Sequence, residues 1–183
     1  MDLHHHIRLM AGYNQRLNRQ VFTAAANLEH DTLTADAGAF FGSILGTLNH
    51  MVVTDLLWLA RFAQHSARYK SLQALSELPT PERLDQQLYP AFAALGAARG
   101  LIDSAIIEWS ADELQSDDLQ RPLAYHNSKG EGAERDFGEL VMHLFNHQTH
   151  HRGQASTLLN QRGLDIGVTD FLMDIPRLDT QDK

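Results

Sequence analysis

Cysteine is absent from this chain of 183 residues, which removes disulfides, thiolate metal sites and a cysteine nucleophile at once. Any metal must therefore be held through nitrogen and oxygen ligands, and the lack of thiols fits a reducing compartment. Positive charge is scarce as well: 15 Lys and Arg face 23 Asp and Glu, a formal net charge of −8. Such a chain carries no electrostatic footprint for a phosphate backbone, so nucleic acid is not an expected partner. No apolar run approaches the roughly 20 residues of a membrane span. The polar, His-rich start from Met1 to Met10 is not a secretory signal, so the cytoplasm is the expected location. Missing too are a serine-nucleophile motif, a phosphate loop and a dinucleotide fingerprint. The Glu-x-x-His spacing of a di-iron bundle is also lacking, since Glu139 stands four residues before His143 rather than three.

What the chain does hold is apolar residue in quantity, 43%, enough for one core in a single domain spanning residues 1–183. Four segments carry the three- and four-residue apolar spacing of amphipathic helices. The first runs from about Leu3 to Leu28 on a stripe of Ile7, Met10, Tyr13, Leu17 and Val21, with His4, His5 and His6 in its first turn. His30 to Thr34 reads as a connection. The second runs from about Asp36 to Gln64 through Phe40, Phe41, Ile44, Leu48, Val52 and Leu56. The third covers about Pro81 to Trp109, capped by Thr80-Pro81-Glu82 and kinked at Pro90. Ser110 to Asp136 then changes character. Leu119 to Tyr125, followed by His126-Asn127-Ser128-Lys129-Gly130, suggests a short hairpin or flap. The fourth helix spans about Asp136 to Gln161 and stops at Gly163. An irregular tail from Leu164, its last residues mobile, ends the chain. The expected fold class is all-α: a four-helix bundle with a short hairpin or flap between the third and fourth helices.

Histidine is the unusually abundant residue, 11 in all. It clusters in His143-Leu144-Phe145-Asn146-His147-Gln148-Thr149-His150-His151-Arg152-Gly153-Gln154. His147 and His151 fall on one helical face about 5–6 Å apart, so the two imidazoles can share one ion. His143 continues that face one turn earlier, yet lies about 12 Å from His151 along the axis. Either His143–His147 or His147–His151 is thus the chelating pair, with His147 common to both. A third ligand has to come from another helix. His50 lies within the apolar stripe of the second, where an unsatisfied imidazole is costly. Its alternative is a core histidine bonded to a carbonyl or carboxylate, and spacing alone leaves the two readings level.

The run Asn146-His147-Gln148-Thr149-His150-His151-Arg152-Gly153-Gln154 resembles the signature of the DinB/YfiT-like superfamily of metalloenzymes. Gly42-Ser43-Ile44-Leu45-Gly46-Thr47-Leu48-Asn49-His50, with Asp55 and Trp58, resembles that family's second-helix motif. Met10-Ala11-Gly12-Tyr13-Asn14 is similar to its first helix, and Gly163 to Asp170 to its C-terminal segment. The resemblance implies a bundle of up-down-down-up order, often a homodimer, with one divalent metal ion on His50, His147 and His151. Three neutral imidazoles beside an open, water-filled position describe a catalytic site more than a structural one. Zinc or nickel lead as occupants and iron follows, since imidazole suits all three.

A metal-bound histidine hands its other N–H to a carboxylate, carbonyl or water, and Asp55, Asn146 and Gln154 are the candidates. Asp55 reads slightly better as a helix-surface charge or as a partner of Arg61 or Arg152. Gly153, after Arg152, suggests close helix packing. His143 and His150 are candidate acid–base groups at the pocket. Tyr125 and His126 of the flap are within conceivable reach, while Trp58 and Trp109 read as core or interface aromatics. Members of the superfamily include thiol-dependent transferases and isomerases. The resemblance therefore implies a transferase that joins a low-molecular-weight thiol to an electrophilic small molecule, a His-bound cation favouring the thiolate. The alternatives are hydrolysis by metal-activated water, and a non-catalytic, metal-stabilised stress or binding protein. A closed fourth position would favour the last.

Overall fold

The computed structural model describes residues 2–127 and 130–177. Four of its helices are long: α1 (Leu3–Ala25), α3 (Ile44–Phe62), α5 (Phe92–Glu108) and α6 (Phe137–Asn160). Two more, α2 (His30–Thr34) and α4 (Lys70–Ala74), are short. A two-stranded antiparallel sheet, β1 (Pro122–His126) with β2 (Gly132–Asp136), lies between α5 and α6 in the chain. The protein is thus mostly helical with one small hairpin. No described helix is long and apolar enough to cross a membrane.

Local chemistry starts three of the long helices. The side chains of Asp2, Ser43 and Asp136 each accept a hydrogen bond from a backbone N–H of the first turn, at His4, Gly46 and Glu139. Those amides have no partner within the helix, so each cap is worth about 1 kcal/mol. Packing supplies the rest. On α1 the buried residues Ile7, Ala11, Leu17, Val21 and Ala25 recur at helical spacing, and α3 is buried along most of its length. Both α1 and α3 pack against α5 and α6, which closes the four long helices around a shared core. At one end of the α3–α6 pair the core is aromatic, with Phe62, Tyr69, Trp109 and Phe137 fully buried and packed on one another edge-on and stacked. The histidines occupy the same pair of helices farther along.

Three boundaries differ from the expectation. The second long helix begins at Ile44 rather than near Asp36. Gly38 and Gly42 both take positive φ, which turns residues 36–43 into a loop, and Ser43 then caps the helix. His30 to Thr34 is a helical turn of its own rather than a bare connection. The third long helix begins at Phe92, not Pro81: proline excludes the residue before it from helix geometry, so Pro90 stands outside the helix instead of kinking it. Gly163 does follow the last helix, at φ 77, with Leu164 N–H donating to the Leu159 carbonyl. Within the expected hairpin, Ser128 and Lys129 lie outside the described residues, as do Met1 and the last residues of the tail, 178–183. The tail is irregular up to a 3-10 turn at Phe171–Asp174, and Arg16 ties it to α1 by donating to Asp174 and to the carbonyls of Val168 and Asp170.

Gly153 does not mark close packing. It is exposed, and a Cβ there would meet nothing within 4 Å. An ordinary φ in mid-helix makes glycine a plain loss of helix propensity. Gly153→Ala is therefore expected to stabilise the protein by about 0.5–1 kcal/mol in urea unfolding, and a destabilised variant would mean that the α6 surface is covered.

Candidate metal centre

His50 comes from α3, and His147 and His151 come from successive turns of α6. One ring nitrogen of each lies within 4.8 Å of the other two. His50 Nε2 and His147 Nε2 are 3.3 Å apart, close to the roughly 3.3 Å between two nitrogens of a tetrahedral ion bound at 2.0–2.1 Å. His143 is outside the group. Its ring stands 6.1 Å from that of His147 and packs edge-on to Trp58 at 5.2 Å.

The remaining ring nitrogens have partners, and those partners assign the tautomers. His50 Nδ1 is 2.8 Å from the Leu84 carbonyl, which only accepts, so Nδ1 carries the proton. Thr54 Oγ1 spends its hydrogen on the His50 carbonyl at 2.8 Å and presents a lone pair to His147 Nδ1 at 3.4 Å. His151 Nδ1 donates to Gln154 Oε1 at 2.8 Å. All three rings are thereby Nδ1–H tautomers with Nε2 left bare, and the Nε2 atoms of His50 and His147 face each other. Two facing lone pairs at 3.3 Å repel unless a cation lies between them. A set of neutral nitrogens suits zinc, nickel or iron rather than calcium or magnesium. The residues present therefore fit a single divalent ion of that class.

Electrostatics agree. Burial holds His50 and His151 below the usual imidazole range, and burial together with the neighbouring histidines pushes His147 down to about 3. The rings are neutral at pH 7, the form that ligates. The sign for stability follows. In the metal-free protein the unfolded chain binds more protons than the folded one between the ordinary imidazole value of 6.5 and about 3. Folding stability should thus fall as pH drops through that window and be unaffected above it. Urea unfolding of metal-free protein at neutral pH and again near pH 4.5 measures this, and equal stability at both would contradict neutral, buried rings.

The loop before α3 completes one wall. Phe41 stacks on His50 with centroids 3.8 Å apart and meets His151 edge-on at 5.5 Å. Gly46 makes that loop possible, because a Cβ at position 46 would stand 2.1 Å from the Phe41 carbonyl oxygen. Two of the three rings, His50 and His147, also line a cavity of about 260 Å³ together with Thr54, Trp58, Arg61 and Tyr125.

Beneath the rings runs a buried polar layer. Gln148, between His147 and His151, donates to Asp55 Oδ1 at 2.5 Å and to the Met51 carbonyl at 3.2 Å. Asp55 Oδ2 accepts from Arg99 Nη1 at 2.6 Å, and Arg99 Nη2 lies 2.9 Å from Asp103 Oδ1. Asn18 donates to Asp103 at 2.9 Å, and Arg152 donates to the side-chain oxygens of Asn14 and Asn18. Burial raises both carboxyls against the pull of Arg99. Asp55 is therefore neither a surface charge nor a partner of Arg61. It is fully buried and pairs with Arg99.

Of the other expected site residues, Gln154 stands behind His151. His150 is exposed and takes a hydrogen bond from the Gln154 amide outside the cavity. Asn146 is exposed. Tyr125 lines the cavity, whereas His126, one residue on, lines an outer groove along the hairpin. Trp109 is a core residue, and Trp58 is a cavity wall. Spacing did not reveal Phe41, Leu84 and Thr54 as neighbours of the rings. Thr54 had a usable signal, being one turn after His50 on the same helical face.

Residues 2–180 match the DinB family, and the chain belongs to it. It is 26% identical over 160 residues to Protein DinB of Bacillus subtilis (strain 168), an alignment covering 87% of each chain. No solved structure matches.

Proposed function

From this family membership and the geometry of the rings, we propose that the protein is a divalent-metal-dependent S-transferase. It would hold zinc, nickel or iron on His50, His147 and His151 and join a small thiol to an electrophilic small molecule. The observation that carries this reading is the convergence of a ring nitrogen from each of three histidines, two of which, His50 and His147, line an open cavity. The bound cation would supply the positive charge that favours a thiolate at neutral pH. The chain's own residues do the rest. Leu84, Thr54 and Gln154 hold the rings in the ligating tautomer, Phe41 shields one side from water, and the cavity admits the substrates. His143, at the cavity wall, is the group placed to move a proton. The open cavity supports catalysis over a purely structural metal. In the same reading the four long helices form one bundle of up-down-down-up order within a single domain, in the cytoplasm and paired with a second copy.

The test is thiol consumption with model electrophiles, comparing metal-loaded with metal-free protein. Loaded protein should be faster, and loss of the metal should abolish the difference. Equal rates would sink the transferase reading.

A further inference from the structure

Arg61 lies at the far end of the cavity, where it also borders the outer groove along the hairpin. Its Cζ is 4.6 Å from the Trp58 ring centroid and 5.2 Å from that of Tyr125, and those two centroids are 5.4 Å apart. The three points make a nearly equilateral triangle, so both rings lie in one sector around the guanidinium. Tyr125 is held in turn by Arg135, whose Nε donates to the phenol oxygen at 3.2 Å. Among the described residues Arg61 takes part in no ion pair. Glu134 borders the outer groove without pairing to it. Among the described residues no acid lines the inner cavity, and in a chain of net charge −8 the formal charge found there is this cation. A half-buried guanidinium fixed on an aromatic shelf, whose N–H groups donate to no described residue, is built for a planar oxyanion, which it can grip with two parallel hydrogen bonds.

We propose that Arg61 anchors a carboxylate on the small molecule whose other end reaches the histidines. Trp58, under the guanidinium, is eight residues beyond His50 on α3, about 12 Å along the axis. The ligand class is therefore an elongated small molecule with a metal-binding group at one end and a carboxylate at the other. If the transferase reading holds, this is a carboxylate-bearing thiol. The inference rests on that reading only for which end of the ligand meets the metal.

The experiment titrates S-methylglutathione and its diethyl ester into metal-loaded parent protein and Arg61→Gln by calorimetry, with metal content and melting temperature recorded for each. The parent should bind the acid about 10- to 100-fold more tightly than the ester, the range of one charge-assisted contact. Arg61→Gln should lose that preference while keeping its metal. Should Arg61→Gln melt early or shed metal, Arg61→Met, which keeps the packing of the stem, is read in its place. Equal binding of acid and ester by the parent, no saturable binding of either, or an undiminished preference in the variant would overturn the inference. S-methylglutathione has no free thiol, so none of these outcomes depends on thiol chemistry. The thiol reading is judged separately, by whether glutathione binds more tightly than its S-methyl ether, and only in metal-loaded protein.

Discussion

Alanine at His147 should empty the centre: metal content by elemental mass spectrometry falls from near-stoichiometric in the parent to background in the variant. His147 lies between its partners, with ring centroids 5.1 Å from His50 and 4.3 Å from His151. Removing it leaves one imidazole on each of two helices and no chelating pair within one helix. Loss of an outer-layer partner alone costs roughly 10–100-fold in metal affinity, so loss of the central ligand should exceed about 100-fold. Two controls separate ligand loss from unfolding. Metal-free parent and metal-free His147→Ala should melt alike at neutral pH, where the ring is uncharged. His150→Ala should keep its metal, because that ring is exposed and, although 4.8 Å from the ring of His151, is not one of the three whose nitrogens converge. Metal retained by His147→Ala, or lost equally from His150→Ala, would mean that the ligand set is misassigned.

How much of this was legible in the residues differs by element. The first and last helices were, because their apolar spacing is long and their ends carry a cap or Gly163. The start of α3 was not. Phe40 and Phe41 fit the helical stripe by spacing, yet Gly38 and Gly42 bend that stretch into a loop, and Phe41 serves as a lid on His50 rather than as a helix position. Spacing on α6 left His143–His147 and His147–His151 level. What separates them is the direction of α3, which brings His50 to the second pair and Trp58 to His143. Asp55 was misread for a related reason. Its partner Arg99 sits 44 residues away on another helix, and a pairing across that distance leaves no periodic trace. Nor did Arg61 stand out, since its meaning lies in the acid it lacks.

Removing Arg99 should be the most damaging single change to stability. Its guanidinium is 3% exposed and faces Asp55 and Asp103, at 0% and 6%. Arg99→Ala leaves two buried carboxyls without their ion-pair partner, Arg152 acting on them only from a distance, and breaking such a pair costs about 3–5 kcal/mol. Against a total stability of roughly 5–15 kcal/mol that is a large share. In a chain of this size it lowers the melting temperature by roughly 10 °C. The damage should also reach the metal, because Asp55 holds Gln148 and Gln148 sits on α6 between two of the proposed ligands. Metal affinity should drop in Arg99→Ala although no ligand has been touched. Replacing these three charges by apolar residues of similar volume tests the cause, since a buried ion cluster adds little over good packing. The triple variant Asp55→Leu, Arg99→Met, Asp103→Leu should recover part of the stability, since Arg152 stays buried without the two carboxylates that act on it, yet still bind metal more weakly because Gln148 has lost its acceptor. Should Arg99→Ala lose less than about 1 kcal/mol, the layer would be hydrated rather than dry, and the link from α5 through Asp55 to the histidines would fall with it.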